Sequence, residues 1–381
     1  MQNNNAKKMM QDAFINQPEF LKDAMQEFLQ ETLVAQFEQF IGAKDYERTS
    51  ERKGYRNGTY TRILNTRVGA ITLHVCRDRE GKFKPELFER YQRSEKALVV
   101  TMTEMYFDGV STRKVTNSVE LLCGLEVSKS LVSSLVVKLD DSLEIWRSRT
   151  LVEEYLYLLV DARYDKVREG GRIVSKAGVT VTGITIDGTR EILYCGVINS
   201  ESFSEWDSVF ISLKNRGLKG VVYVASDDNA GLVKAIEKNF QGCLWQRCQV
   251  HFMRNFMAKL SSSLKAEGIK LLQDVFAADT KTEALERKNV LAEFLRSHKK
   301  EDIAFWIEDN IEDALTVYEL PKAHRKQMKT TNMIERLNQE LKRRTRVIRI
   351  FPNEESYLRM LTTLCMEMSE SWGGRRYLAL E

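Results

Sequence analysis

Two apolar runs that each end in aspartate constrain this chain more than any other feature. Residues 156–160 read Leu-Tyr-Leu-Leu-Val and close on Asp161; residues 221–226 read Val-Val-Tyr-Val-Ala-Ser and close on Asp227. Short continuous runs rich in β-branched and aromatic residues suit strands buried on both faces. A carboxylate at the end of such a strand is a poor packing residue, because ionised groups are rarely buried without a partner. A third acid, Glu335, lies in Thr330-Thr331-Asn332-Met333-Ile334-Glu335-Arg336-Leu337-Asn338, ahead of a dense basic stretch. Three acids able to converge predict a site for hard cations, and with them phosphoryl transfer on a polyanion.

Two divalent ions, Mg²⁺ with Mn²⁺ able to substitute, need only three carboxylates if one of them bridges. Asp161 on the central strand is the expected bridge, with Asp227 and Glu335 each holding one ion. Each acid has a plainer alternative. Asp161 could pair with Arg163 or Lys166. Asp227 stands beside Asp228, and either could cap a helix starting near Ala230. Asn332-x-x-Glu335 has the spacing of a capping box.

Charge points to the partner. The net +4 is uneven: residues 321–349 carry a balance of +8, residues 44–93 one of +6, and the remainder is −10. Two basic zones on an otherwise acidic chain are the expected footprint of nucleic acid, with a solvated surface helix as the alternative for each. The candidate phosphate contacts are Arg52, Lys53 and Arg56 in a glycine-punctuated loop around Tyr55, then Lys129, Arg336, Lys342, Arg343, Arg344, Arg346 and Arg349. No apolar stretch approaches the ~20 residues that cross a bilayer, and residues 1–8 lack a signal-peptide core. Six scattered cysteines fit reduced thiols. A cytoplasmic, nucleoid-associated protein is expected.

At 381 residues the chain can hold several domains. An N-terminal helical segment (1–45), with its apolar period over 19–41 stopped at Gly42, precedes a basic loop and β-hairpin region (46–93). In the hairpin, strands at 61–68 and 70–77 flank Gly69. Helical patterns at 95–107, 111–122 and from Ser128 through Leu139, Leu143 and Trp146 make 94–150 a helix-turn-helix-like DNA-binding region; plain three-helix packing gives the same spacing. From 151 to 251 the pattern is α/β. Strand 156–161 is followed by a segment over 164–169, a Gly170-Gly171 turn and a strand over 173–186. After Asp187-Gly188 come strand 191–198, helix 204–215, strand 221–226 and helix 230–240, with 243–250 returning to the sheet. That order predicts an α/β, ribonuclease-H-like catalytic core. An all-α insertion (252–325) interrupts it before the last part (326–381) brings the Glu335 helix and a basic tail.

The motifs together resemble a known family. Asp161-Ala-Arg-Tyr-x-Lys-Val-Arg168, Asp227-Asp-Asn-Ala-Gly231-Leu232, Gln246-Arg247-Cys248-x-x-His251, the run from Asn332 to Arg344 and Phe351-Pro352 are similar to those of Mutator-type bacterial insertion-sequence transposases, which are DDE enzymes. The resemblance covers nearly the whole chain. It departs before Gln246, where Gly242-Cys243-Leu244-Trp245 replaces the usual proline. It implies that Asp227 rather than Asp228 is the ligand, because Gly231 follows at the family's distance, and that Asp161, Asp227 and Glu335 bind the metals. It gives Cys248 and His251 a site-supporting role, and Asn338, three residues after Glu335, shares its helix face. Without the family, Cys248 and His251 could be two zinc ligands, but a closed zinc site requires four and only Cys243 stands nearby, which argues against zinc. Trp245 reads as core or as a surface that stacks an unpaired base. The resemblance further implies binding of terminal inverted repeats, pairing of two ends by a homodimer or higher oligomer, cleavage, and joining of a 3′-hydroxyl to target DNA. The rivals are a nuclease of the same fold without strand transfer and a non-catalytic DNA-binding regulator.

Overall fold

The computed structural model describes residues 18–378 apart from 46, 48, 51, 86–95, 109 and 124, and apart from the side chains of residues 18–20, 332, 333, 335 and 347 within helices. Two compact units divide between Lys138 and Leu139. Among the described residues no helix is long and apolar enough to cross a membrane.

In the first unit, helix α1 (Pro18–Ile41) packs on an antiparallel hairpin of β1 (Arg56–Thr66) and β2 (Gly69–Asp78). Leu29 and Leu33 of the helix meet Leu64, Ile71, Leu73 and Val75 of the hairpin. Gln30 covers the hairpin edge: its Nε2 donates to His74 O at 2.9 Å and its Oε1 accepts from His74 N at 2.8 Å. An amide side chain so placed occupies backbone groups that would otherwise recruit another strand. The glycines expected to stop the helix and turn the hairpin do so, with φ of 74° at Gly42 and 112° at Gly69, conformations other residues adopt at a cost.

Helices α2 (Lys96–Phe107), α3 (Thr112–Cys123) and α4 (Lys129–Val137) follow and share a small core of Leu98, Met102, Val115, Val119 and Val132. Ser128 caps α4 by accepting from Leu131 N. The third pattern is not the continuous helix its period predicts. It ends at Val137, and α5 (Asp140–Ser148) starts in the second unit. Asp140 in the first turn of α5 is gripped at 2.6 Å by both Nε and Nη2 of Arg359. A long-range ion pair captures the segment that local periodicity assigned to α4.

The second unit centres on a five-stranded sheet in the order β5-β4-β3-β6-β7. Strands β3 (Tyr155–Glu169), β4 (Arg172–Thr185) and β5 (Arg190–Ile198) are successively antiparallel, while β6 (Tyr223–Ser226) and β7 (Leu244–Arg247) run parallel to β3. Two expectations are corrected. Asp161 does not close its strand: β3 runs on to Glu169 as a two-stranded ribbon with β4, turned at Gly170 and Gly171. Burial, however, breaks after Asp161, where the apolar run ends. Residues 243–250 give only a four-residue strand, and the chain is helical from Gln249.

Alternation along β3 divides its side chains between two faces. Leu158 and Val160 face helices α6 (Phe203–Asn215) and α7 (Ala230–Asn239), where Trp206, Phe210, Leu232 and Ile236 complete the core. Tyr157, Leu159 and Asp161 belong to the opposite face. From Gln249 onward the chain forms helices α8 (Gln249–Lys259), α9 (Ser262–Phe276), α10 (Lys281–Ser297) and α11 (Glu301–Asn310), with a separate core around Phe252, Phe256, Leu291 and Ile307. Two 3₁₀ turns (Glu312–Ala314 and Thr316–Glu319) and α12 (Lys322–Met328) lead to α13 (Asn332–Ile348) and α14 (Glu354–Trp372). Phe210→Ala removes a fully buried ring that contacts Trp206 and Phe240. It is expected to lower unfolding free energy by roughly 3–5 kcal/mol in a urea titration followed by circular dichroism.

Candidate active site

Strand register sets the two aspartates side by side. β3 and β6 pair Tyr157 with Tyr223 and Leu159 with Ala225, so the next level on the same face holds Asp161 and Asp227. Adjacent strands lie about 4.8 Å apart. Asp161 is 6% exposed, and its Oδ2 accepts from Asn338 Nδ2 at 2.6 Å. Its neighbour Arg163 is not its ion-pair partner. That guanidinium pairs with Asp165 at 3.0 Å and donates to Asn338 O at 2.6 Å, fastening α13 to the strand that carries Asp161. Among the described residues no cation forms a salt bridge with Asp161.

Asp227 and Asp228 take different roles. Asp228 turns outward and pairs with Arg247. Neither caps the following helix: Asn229 does, its side chain accepting from Gly231 N at 2.9 Å and Leu232 N at 3.0 Å. Asp227 remains inside, its Oδ1 accepting from Asn229 N at 3.3 Å. Gly231 is required by contact, since a Cβ there would lie 2.8 Å from Phe203 N and against the carbonyl of Glu201. That closeness brings in an acid the sequence gave no sign of. Glu201 is raised in pKa by burial and by the charge of Asp227. No spacing rule links positions 201 and 227; only the packing of loop on helix does.

Mutual proximity shows in the electrostatics. Burial pushes Asp161 up to about 7, with the carboxylate of Asp227 adding and His251 opposing. Asp227 is raised too, by burial first and by the charge of Asp228, against His251 and the backbone N–H of Asn229. The imidazole of His251 is held up at about 9, chiefly by the adjacent Cys248 sulfur and then by the two aspartates, against the effect of burial. Its Nδ1 is buried with no hydrogen bond of ordinary geometry among the described residues. His251, Asn338, Gln339, Lys342 and Arg254 surround Asp161 in an open pocket of about 240 Å³.

Gln246, Cys248 and Gln249 bolt the helical stretch to the sheet. Val317 N donates to Gln246 Oε1 at 2.6 Å, and Gln249 Nε2 donates to Ala314 O at 2.9 Å. Thr331 N donates to Cys248 Sγ at 3.4 Å, and the Thr331 hydroxyl lies 3.4 Å from the same sulfur. With its sulfur so engaged, Cys248 serves as an anchor at the start of α13. Among the described residues no three His, Cys, Asp or Glu side chains group to hold a metal ion. Trp245 packs against the sheet core and donates to Ser226 Oγ at 2.9 Å.

Position 335 lies on α13 three residues before Asn338 and four before Gln339, the spacing of one helix face. Its side chain is outside the described residues. The capping box fails in register, because Thr331 is the N-cap and Asn332 is already helical. Glu340 faces elsewhere, bound to Arg343 at 2.7 Å and Arg344 at 3.1 Å.

A family model described as "Transposase, Mutator family" matches residues 1–374. The chain belongs to the Mutator family of transposases. It is 45% identical over 375 residues to the transposase for insertion sequence element ISRM5 of Rhizobium meliloti, covering 98% of this chain and 94% of that one. It is 43% identical over 344 residues to the transposase for IS256 in transposon Tn4001 of Staphylococcus aureus, covering 89% and 88%. It is 34% identical over 372 residues to that for IS1081 of Mycobacterium tuberculosis, covering 96% and 88%.

Not every basic residue singled out in this Mutator-family chain is free for a phosphate. Arg344 is buried, tied to Glu340 and to Glu367 at 2.8 Å. Arg56 is held by Asp45 at 2.9 Å and lies over the ring of Phe37. Both are corrected to internal ion pairs, since a short contact to carboxylate occupies the guanidinium fork. Arg52 stacks on Tyr55 and donates to Gly54 O, and with Lys53 it lines a surface cleft. Lys129, Arg336, Lys342, Arg346 and Arg349 are exposed, as is Arg343 despite its bond to Glu340.

The raised pKa of Asp161 fixes a pH dependence. Its protonated form is favoured by the fold, so its contribution is fully present below about pH 4 and is lost as pH rises through about 7. Asp161→Asn should therefore melt higher than the parent at pH 8, by roughly 2–4 kcal/mol in stability, and converge with it near pH 4. Thermal melts across that range in metal-chelating buffer measure it.

Proposed function

We propose that the chain is a DDE-type DNA transposase acting through Asp161, Asp227 and Glu335. The observation that carries this is the pair of carboxylates raised by burial, Asp161 further raised by Asp227, at one end of paired parallel strands, in a chain of the Mutator family. The strand order, three antiparallel strands followed by two parallel ones, supports a ribonuclease-H-like core with the helical stretch as its insertion.

The donor set suits a hard divalent cation, Mg²⁺ or Mn²⁺. Carboxylate oxygens are its preferred ligands, and Asp227 stands near enough to Asp161 to disfavour its charge. Asp161 and Asp227, with Glu335 from α13, would hold two such ions. When bound, these neutralise the carboxylates and stabilise negative charge on phosphoryl oxygens. The chain's own residues do the rest. Asn338 fixes the rotamer of Asp161 by its donated hydrogen bond, and Arg163 holds Asn338 in place. His251 sets a positive charge behind both aspartates. Lys342, on the pocket rim, offers a contact to a DNA phosphate.

In the reaction proposed, water cleaves a phosphodiester at the element end and frees a 3′-hydroxyl. That hydroxyl then attacks a target phosphodiester, forming one P–O bond and breaking another. Pairing two ends requires at least two copies of the chain. The substrate is double-stranded DNA carrying the element's terminal repeats, and the place of action the bacterial nucleoid.

Strand transfer separates this from a simple nuclease. Given a pre-cleaved end with a free 3′-hydroxyl, plasmid DNA and Mg²⁺, the chain should yield joined product; cleavage of intact ends without any joining would leave a nuclease. Asp227→Asn and Glu335→Gln should each lose at least about 10³-fold of both activities while retaining end binding. Loss of binding along with activity would count against a catalytic role. Separately, millimolar Mg²⁺ should raise the melting temperature of the parent chain at pH 8 and leave Asp161→Asn unmoved.

A further inference from the structure

Beyond Asp161 the ribbon of β3 and β4 has two unlike faces. Side-chain alternation puts Arg163, Asp165, Val167 and Glu169 on one face and Tyr164, Lys166 and Arg168 on the other. The first face is closed and its charges are balanced. Tyr357 of α14 donates to Arg163 O at 3.1 Å. Both acids of the ribbon beyond Asp161 lie on this face and are answered within the chain, Asp165 by Arg163 and Glu169 by the buried Lys176, each at 3.0 Å. Phe351 clips the edge of β3, donating its N–H to Lys166 O and accepting from Arg168 N, each at 2.9 Å.

The second face is open. Tyr164, Lys166 and Arg168 are exposed, as are Ser175 and Ile173 across from the two cations. Among the described residues neither Lys166 nor Arg168 has a salt bridge, a side-chain hydrogen bond or a ring contact. Alternate residues of a strand stand about 6.6 Å apart, so the two cations form a short line on a strand held from behind. Unneutralised cations in a line suit the phosphates of a nucleic-acid strand, and a rigid support lets them bind without reordering the chain. The line starts at the site itself. Burial and then the charge of Glu201 raise the Tyr164 phenol, so its hydroxyl stands beside the acid that neighbours Asp227. Lys166 and Arg168 lie outside both basic zones of the sequence, and only the segregation of charge by face sets them apart.

We propose that this open face seats the phosphodiester backbone of a DNA strand that leaves the aspartate pair on the Glu201 side, with Tyr164 at the exit and Lys166 and Arg168 as successive phosphate contacts. The inference rests on the transposase reading above. An element end and a target duplex present the same backbone, so either can supply the strand.

The test uses the full chain carrying Asp227→Asn, so that bound DNA stays intact. Binding to a labelled duplex of the element's end, and to an unrelated duplex of equal length, is followed by fluorescence anisotropy between about 50 and 200 mM salt. Lys166→Gln with Arg168→Gln should reduce the slope of log affinity against log salt by about 1.8, and either change alone by about 0.9. The charge-keeping exchange Lys166→Arg with Arg168→Lys should retain the parental slope. A loss confined to the end duplex assigns the face to the element; a loss on the unrelated duplex as well assigns it to target and end alike. A parental slope on both duplexes in the Gln double variant, folded by its melting curve, overturns the proposal. So does an exchange variant that loses as much as the Gln pair, since the residues would then act through the ribbon's structure and not through charge. If the background protein binds neither duplex in a salt-dependent way, the transposase reading itself falls.

Discussion

Parallel pairing of β3 with β6 is the constraint on which the second unit depends. Because side chains alternate along each strand, matching Leu159 to Ala225 commits Asp161 and Asp227 to one face and one level. A one-residue slip would turn one carboxylate into the apolar core around Trp206 and Phe210. Burial of Val160 and Val224 in that core therefore holds the acids in position on the opposite face. The same register creates the electrostatic cost of the site, a buried Asp161 and a half-buried Asp227 raised by desolvation and, for Asp161, by its neighbour.

The sheet supplies the two aspartates, and α13, which carries Asn338, is brought back to them after some eighty residues that are mostly helix. The bolt is polar and buried. Gln246 and Gln249 accept and donate hydrogen bonds to the 3₁₀ turns, and the sulfur of Cys248 receives the backbone of Thr331 one residue before α13 begins. Tyr157 and Tyr223, on the same sheet face as the aspartates, bond His324 Nδ1 at 2.9 Å and Met328 O at 3.0 Å, and so fix α12 as well. Arg163 completes the clamp by holding the carbonyl of Asn338. Buried polar groups in such a network are unsatisfied if any partner moves, which makes the placement of α13 specific rather than adjustable.

Much of this was legible in the chain. Strand order followed from the apolar runs and the turns at Gly170-Gly171 and Asp187-Gly188, and the helical stretch followed from loss of strand character after His251. Choosing Asp227 over Asp228 depended on Gly231, and the contact that glycine permits explains why the register matters. Elsewhere local pattern misled. The period that carried α4 toward Trp146 took no account of Arg359, more than two hundred residues away, which captures Asp140. Counting Arg56 and Arg344 as phosphate contacts took charge for availability; both guanidiniums are occupied by carboxylates from other turns or elements. Glu201 could not have been found at all, since its place beside Asp227 comes from a loop packing on a helix start.

By itself the sequence determined which segments are buried strands, where their apolar runs stop, and which motifs mark the family, because these depend on residue type and short-range spacing. Only the tertiary structure decided which charges are used internally and which remain for a partner. Neighbours in space set how a guanidinium is used: Arg344 is spent on Glu340 and Glu367, while Arg346 of the same helix stands exposed. Electrostatic energies fall off with distance through space, and distance along the chain does not report it.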